Sequence, residues 1–327
     1  MINNNFGHSD FEQHKLLIKI AQLYYAENKT QSEIAKIVNI HRSSISRMLK
    51  TIRELGIVSI SINYDLLPDI ALEEKIRNKF NLKQVIVVPV NLDMDNDSKN
   101  QIVCNVAANI LLKNIQDNDV IGVSWGRSIN YIVNSVKNDS VQLNNITVVP
   151  MIGGPSGKIE TKFHVNNIAY KLSNKLKSRA ILIDYPAIVD TDQLKIEIEK
   201  TQHMKELKSW WSKITIALFS IGCPAISKNS IWYGFYGELF QTITDKKIVG
   251  DILSRFYDKN GSELNTPFCN QIIGVTLDNL KKIPLKICAS GDFEKLNSLI
   301  AALNANYIDI LVVSDEMAEQ LNNCSAR

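Results

Sequence analysis

From Val85 onward the chain alternates short apolar runs with stretches of helical period, and this alternation is the strongest constraint on its fold. The runs are VIVVPV, VIGVS, ITVVPMI, AILIDYP, ITIALFSIG, LKICAS and IDILVVS. Helical patterns follow at 99–114, 127–137, 164–177, about 193–209 and 292–304, and a last helix follows IDILVVS. A strand with one wet face alternates polar and apolar residues, whereas strands apolar at nearly every position are buried on both faces. Strands connected through helices rather than tight turns run parallel. The expected fold is α/β, with a Rossmann-like parallel sheet that binds ligands beyond the C-terminal ends of its strands. Residues 228–266 break the rhythm and read as an inserted lobe or lid.

The first 63 residues follow a different rule. A helix is expected over 11–27, carrying Leu16, Leu17, Ile20, Ala21, Leu23 and Tyr24. Thr30 and Glu33 have capping-box spacing and open a second helix with Ile34, Ala35, Ile37 and Val38 on one face. After a tight turn at residues 38–41, a third helix runs from near Arg42 to Leu55, with Gly56 as its stop. Its apolar face is Ile45, Met48, Leu49 and Ile52. Its other face presents Arg42, Ser43, Ser44, Ser46 and Arg47, the short hydrogen bonders and guanidinium forks that reach base edges and phosphates in a major groove. Thr30 and Gln31 at the preceding helix start, and Lys50 further on, complete the expected DNA-facing set. IVSISIN then reads as one arm of a wing, and YDLLPD as a boundary.

Charge supports this reading. Residues 1–63 hold eight Lys/Arg against five Asp/Glu, and the remainder holds 29 of each. The excess sits where a polyanion would dock, and its small size suits a dimer or tetramer that adds several heads together. Five cysteines, without CxxC or zinc spacing, suit a reducing cytoplasm, and most read as small core residues. The opening MINNNFGHSD carries no targeting pattern, no apolar run reaches membrane-spanning length, and no metal or cofactor motif is present.

Several expected strands end in small-residue loops. Ser124, Trp125, Gly126, Arg127 and Ser128 follow one, and Gly153 and Gly154 the next. Ile221-Gly222-Cys223-Pro224 and Ala289-Ser290-Gly291-Asp292 follow later strands, with Lys295 in the first turn beyond. Glycine lets backbone amides approach a ligand, and a helix N-terminus favours an anion, so the set suits a sugar phosphate. Asp251, with Tyr185, Trp232, Tyr233 and Tyr236, can face sugar hydroxyls. GVSWG also matches the nucleophile elbow of α/β-hydrolases. The last histidine is His203, however, well before the final strands, which leaves Ser124 without the base that such a triad needs. An isomerase with an accessory DNA-binding head is the other alternative, with Asp251 and Lys295 as its acid–base pair.

Taken together, IAQLYYAENKTQSEIAKIVNIHRSSISRMLK, GIVSISINYD, GVSWGRS, VPMIGGPSGK, DYPAIVD, VGDILSRFYDKNG and ASGDFEK resemble the SorC family of bacterial transcriptional regulators, over residues 15–322. The likeness is nearest to regulators of sorbose and sorbitol operons. It implies a winged-helix-like helix-turn-helix domain (1–63), a linker with a linking helix (64–80) and a sugar-binding, oligomerising domain (81–327) with the fold of sugar-phosphate isomerases. It also implies a regulator rather than an enzyme, with operator DNA, a phosphorylated hexose or hexitol and further copies of itself as partners. By resemblance the effector phosphate falls on Ser124, Gly126, Arg127 and Ser128, with Gly153 and Gly154 nearby, and Asp251 and Lys295 contact the sugar. The stretch Ala289-Ser290-Gly291-Asp292 departs from the family's glycine pair, and FSIGCP from its usual glycine.

Overall fold

The computed structural model describes residues 8–58, 69–137, 143–224, 233–236 and 247–324. The wing strand and the YDLLPD boundary lie almost wholly outside these residues, as do Trp232 and much of the 228–266 segment. The chain forms two compact units, residues 1–63 and 64–327.

In the first unit, α1 (His8–Ala21), α2 (Gln31–Ile37) and α3 (Arg42–Glu54) enclose a core of Leu17, Ile20, Leu23, Ile34, Ile45, Leu49 and Ile52. Full burial of each such side chain is worth about 1.5–3 kcal/mol. The first helix differs from the unbroken one expected. After Ala21 it widens into a π-turn over Gln22–Ala26, where Glu27 N–H donates to the Gln22 carbonyl at 3.0 Å. The wider turn buries Leu23 and sets Tyr24 and Tyr25 edge to face at 4.9 Å. The capping box forms, with the Glu33 carboxylate accepting from Thr30 N–H at 2.8 Å and Thr30 Oγ1 accepting from Glu33 N–H at 3.3 Å. Asn39, at φ 54°, makes the tight turn in the left-handed region that asparagine tolerates.

The second unit is built on seven parallel strands: β1 (Gln84–Val88), β2 (Val120–Val123), β3 (Thr147–Pro150), β4 (Arg179–Ala180), β5 (Ile216–Phe219), β8 (Leu285–Ser290) and β9 (Ile310–Ser314). Their spatial order is β1-β9-β8-β5-β2-β3-β4, and β6 (Gly250–Ile252) and β7 (Arg255–Tyr257) form a separate antiparallel hairpin. β2, β3, β5 and β9 are buried at every position, which explains their uninterrupted apolar sequences. The crossovers through α5 (Asn96–Asn114), α6 (Arg127–Ser135) and α7 (Val165–Lys175) step one way across the sheet. Those through α8 (Asp192–Lys200), α9 (Gln202–Trp211), α10 (Leu277–Lys282) and α11 (Leu296–Asn304) step the other way. Right-handed crossovers therefore put the two groups on opposite faces. α4 (Ile70–Lys79), capped by Asp69, packs on β1 and on α12 (Asp315–Asn323), and its Ile76 joins the core.

Two elements depart from the expected pattern. AILIDYP pairs as a strand only at its start. At Ile183 the Asn166 amide takes a neighbouring strand's place, accepting from the backbone N–H at 3.0 Å and donating to the carbonyl at 2.9 Å. The single helix expected at 193–209 is two, because Thr201 (φ −64°, ψ 150°) leaves the helical region and its hydroxyl caps α9 at Met204 N–H.

Candidate functional site

The sheet reverses its winding between β2 and β5. From β2 the chain steps outward to β3 and β4, then returns to lay β5 along the other side of β2. Loops leaving these two strands diverge and open a crevice at their carboxyl ends, the switch point where open α/β sheets take ligands. A pocket fills this crevice. Ser124, Trp125, Gly126, Arg127 and Ser128 line it from the β2 loop, Ser220 to Gly222 from the β5 loop, and Asp292 and Lys295 from beyond β8.

α6 starts at this pocket. Gly126 has φ 123° and ψ 175°, a conformation open to glycine, and among the described residues no side chain caps the helix. Its N-terminal amides and positive dipole end therefore remain available to an anion. Ser128 is buried and bound to Asn100 of α5, whose amide nitrogen donates to Ser128 Oγ at 3.0 Å. Asn100 Oδ1 also accepts from Gly291 N–H at 3.2 Å, so one asparagine ties α5, α6 and the β8 loop together.

Asp251 stands on the opposite wall. Its backbone bridges Gly222, donating at 3.2 Å and accepting at 2.9 Å, which fixes the β6–β7 hairpin over the end of β5. Its carboxylate accepts from Tyr236 Oη at 3.1 Å and from Ser254 N–H at 3.2 Å. The hairpin tip is strained, because Leu253 and Ser254 both sit at positive φ, 54° and 62°, where a tight hairpin normally uses Asn-Gly. Burial, then the Asp251 charge, pushes the Tyr236 hydroxyl well above its ordinary pKa, so it stays a donor. Burial likewise pushes the nearby Cys104 and Cys288 thiols up to about 12, which leaves them unreactive packing groups.

Of the expected pocket residues, Ser124, Trp125, Gly126, Arg127, Ser128, Tyr236, Asp251 and Lys295 meet in this crevice. Gly153 and Gly154 do not line it. Their N–H groups donate to the Ile273 and Tyr185 carbonyls, at 2.9 and 2.8 Å, so neither amide is offered to a ligand. Both glycines serve close packing: a Cβ on Gly153 would meet the Pro186 carbonyl oxygen at 2.3 Å, and one on Gly154 the His164 ring at 2.5 Å. Tyr185 also stands outside the lining, its hydroxyl 2.9 Å from Thr201 Oγ1. Among the described residues no histidine lines the pocket, and Ser124 Oγ reaches only the Trp125 carbonyl at 3.5 Å, so the nucleophile-elbow match has no base beside it. No group of three or more His, Cys, Asp or Glu suited to a metal ion occurs among the described residues.

Asn96, Asp97, Asn100, Ser220, Leu253 and Ser254 also line the pocket without having been singled out in the sequence. A signal for the first three was present. Asp95 caps α5 through Ser98 N–H at 2.9 Å, and this D-x-x-S pattern starts the helix at Asn96, three residues before the expected 99, beside the other strand-end loops.

In the first unit α3 buries Ile45, Leu49 and Ile52 and exposes Arg42, Ser43, Ser46, Arg47 and Lys50, with Ser44 half-buried. Thr30 is occupied by its capping box, and Gln31 begins α2. Lys50 lies 3.8 Å from Glu54 in an exposed pair that solvent screens. The face is a short basic ridge on a helix whose other side is anchored.

The Sugar-bind family of sugar-binding domains matches residues 64–323. The sorbitol operon regulator of Klebsiella pneumoniae is 36% identical over 94% of this chain and 97% of its own. The deoxyribonucleoside regulator of Bacillus subtilis is 27% identical over 96% and 99%. The crystal structure of the full-length Klebsiella regulator superposes with a TM-score of 0.74 at 35% identity, covering 94% of this chain and 98% of that one. With a sugar-binding domain over most of its length and likeness to a sorbitol operon regulator from end to end, the chain belongs to the SorC family of bacterial transcriptional regulators.

Proposed function

We propose that the protein is a sequence-specific DNA-binding regulator of a sugar-utilisation operon, of the sorbose or sorbitol type, controlled by a phosphorylated hexose or hexitol. The observation that carries the effector's chemistry is the uncapped N-terminus of α6, flanked by Arg127 and Lys295 at the sheet's switch point. A phosphate group accepts from helix amides and from a guanidinium fork at once. Asp251, fixed through Gly222 and Tyr236, and the Asn96 and Asn100 amides supply acceptors and donors for sugar hydroxyls. The α3 ridge of Arg42, Ser43, Ser46 and Arg47 reads or clamps operator DNA, with Ser44, Lys50 and the Thr30–Gln31 helix start alongside. Oligomerisation through the larger domain pairs the heads. The effector alters DNA affinity by binding two quaternary arrangements unequally. The pocket senses and performs no turnover, and the protein works in the cytoplasm.

The test is a thermal-shift series on the full chain with hexoses, hexitols and their phosphates. A ligand at 100 times its dissociation constant adds about 2.7 kcal/mol. A shift with one phosphate ester and none with its free sugar supports the reading. A shift with the free sugar alone would refute the phosphate assignment.

A further inference from the structure

The described lining of the pocket carries no excess of positive charge. Among the described residues five charged side chains line it, and three are acidic: Asp97, Asp251 and Asp292 against Arg127 and Lys295. Two of the acids have local duties. Asp251 holds the hairpin through Ser254 and Tyr236, and Asp292 caps the short 3-10 turn at Glu294 N–H, 3.2 Å away. Asp97 stands in the first turn of α5, where its charge favours the helix dipole, but the capping hydrogen bonds there belong to Asp95. Both Asp97 oxygens point instead to α6. Oδ1 accepts from Arg127 Nη1 at 2.8 Å, and Oδ2 from Tyr131 Oη at 2.7 Å. Burial and the Asp97 carboxylate raise the pKa of Tyr131, so this phenol remains a donor across the working pH range.

We infer that Asp97 is an internal counter-anion that holds Arg127 while the pocket is empty and thereby sets the pocket's selectivity for a doubly charged phosphate over singly charged or neutral sugars. This rests on the proposed phosphate-binding role of the pocket. The Asp97–Arg127 pair is 45% and 36% exposed, so solvent screens it and it gives way to a stronger anion. A phosphate dianion, forked on Arg127 and seated on the helix amides, outcompetes one carboxylate, whereas a sugar acid offers only a second carboxylate in exchange for the first. Asp97 is a specificity residue that acts on the ligand through Arg127 and through like-charge repulsion.

The test titrates the full chain with inorganic phosphate and with gluconate, following tryptophan fluorescence or heat. Asp97→Asn is expected to bind phosphate at least about three-fold more tightly than the parent at pH 7.5, the scale of one partly exposed charge. It is also expected to gain measurable gluconate binding. Tyr131→Phe removes one of the two donors that hold Asp97 and should move both affinities the same way by less. It keeps the test available if Asp97→Asn does not fold. Phosphate binding that is unchanged or weaker in these variants, while the parent binds phosphate, overturns the inference alone: Asp97 then merely positions Arg127. Absence of phosphate and sugar-phosphate binding from parent and variants alike overturns the phosphate reading of the pocket, and this inference with it.

Discussion

A methyl group at Gly153 has nowhere to go, since it would stand 2.3 Å from the Pro186 carbonyl oxygen and 2.6 Å from the Ala187 nitrogen, both backbone atoms. Gly153→Ala should therefore destabilise the chain by about 1–3 kcal/mol in a urea melt while leaving phosphate affinity in the folded protein near the parent value. A large loss of affinity at unchanged stability would return the glycine to the binding surface. Arg47 makes the contrasting case, exposed on α3 with no structural duty among the described contacts. Arg47→Ala should cost about 1–3 kcal/mol of operator affinity with no change in melting temperature, and unchanged binding in a gel shift would remove it from the interface. Single residues were legible in the sequence where local chemistry decides their place, as in Ser124 to Ser128, because a strand end, a glycine and a helix start together fix a loop at the sheet edge. Asp97 was not, because its meaning lies in two partners 30 and 34 residues away.

Elements were legible where one face dictates them. The α3 boundaries, the Thr30 cap and the buried strands follow from periodicity and capping alone. Removing the cap by Thr30→Ala should cost the first unit about 1 kcal/mol, seen as a lower midpoint for its own transition. What the pattern could not show was competition from elsewhere in the fold. Asn166 replaces a strand partner at Ile183, and Thr201 ends α8 by capping α9. α4 offers a pH test. Glu73 accepts from Val87 N–H at 2.8 Å, yet desolvation outweighs this bond and raises its pKa above the ordinary 4.5. A carboxyl raised in the folded state favours the folded protein only while protonated, so its contribution is present in acid and is lost as pH rises through the shifted value. Glu73→Gln keeps an acceptor for Val87 without the charge. It should melt above the parent at pH 7, and the advantage should vanish below about pH 4.5. A variant less stable at pH 7 would show that the charged carboxylate is needed there.

At the scale of the whole molecule, fold class and two-part organisation were legible because the two halves obey different periodicities and carry different charge. The switch point was not, since strand order is set by which crossover returns across the sheet, and no local pattern records that. It matters because it gathers β2, β5, β8 and the hairpin around one crevice. Binding of DNA by the first unit should weaken steeply with salt as phosphate counterions are released, and Lys50→Ala should lower that slope by about one. The most direct measurement is the anisotropy of a labelled DNA fragment, selected by the full chain itself, with and without the hexitol or hexose phosphate that shifts its melting. The phosphate ester should change DNA affinity by at least about five-fold. The free sugar should not, and Arg127→Ala should abolish the response while leaving unliganded DNA affinity intact. DNA affinity identical with and without a saturating phosphate ester would contradict the proposed control by a phosphorylated sugar.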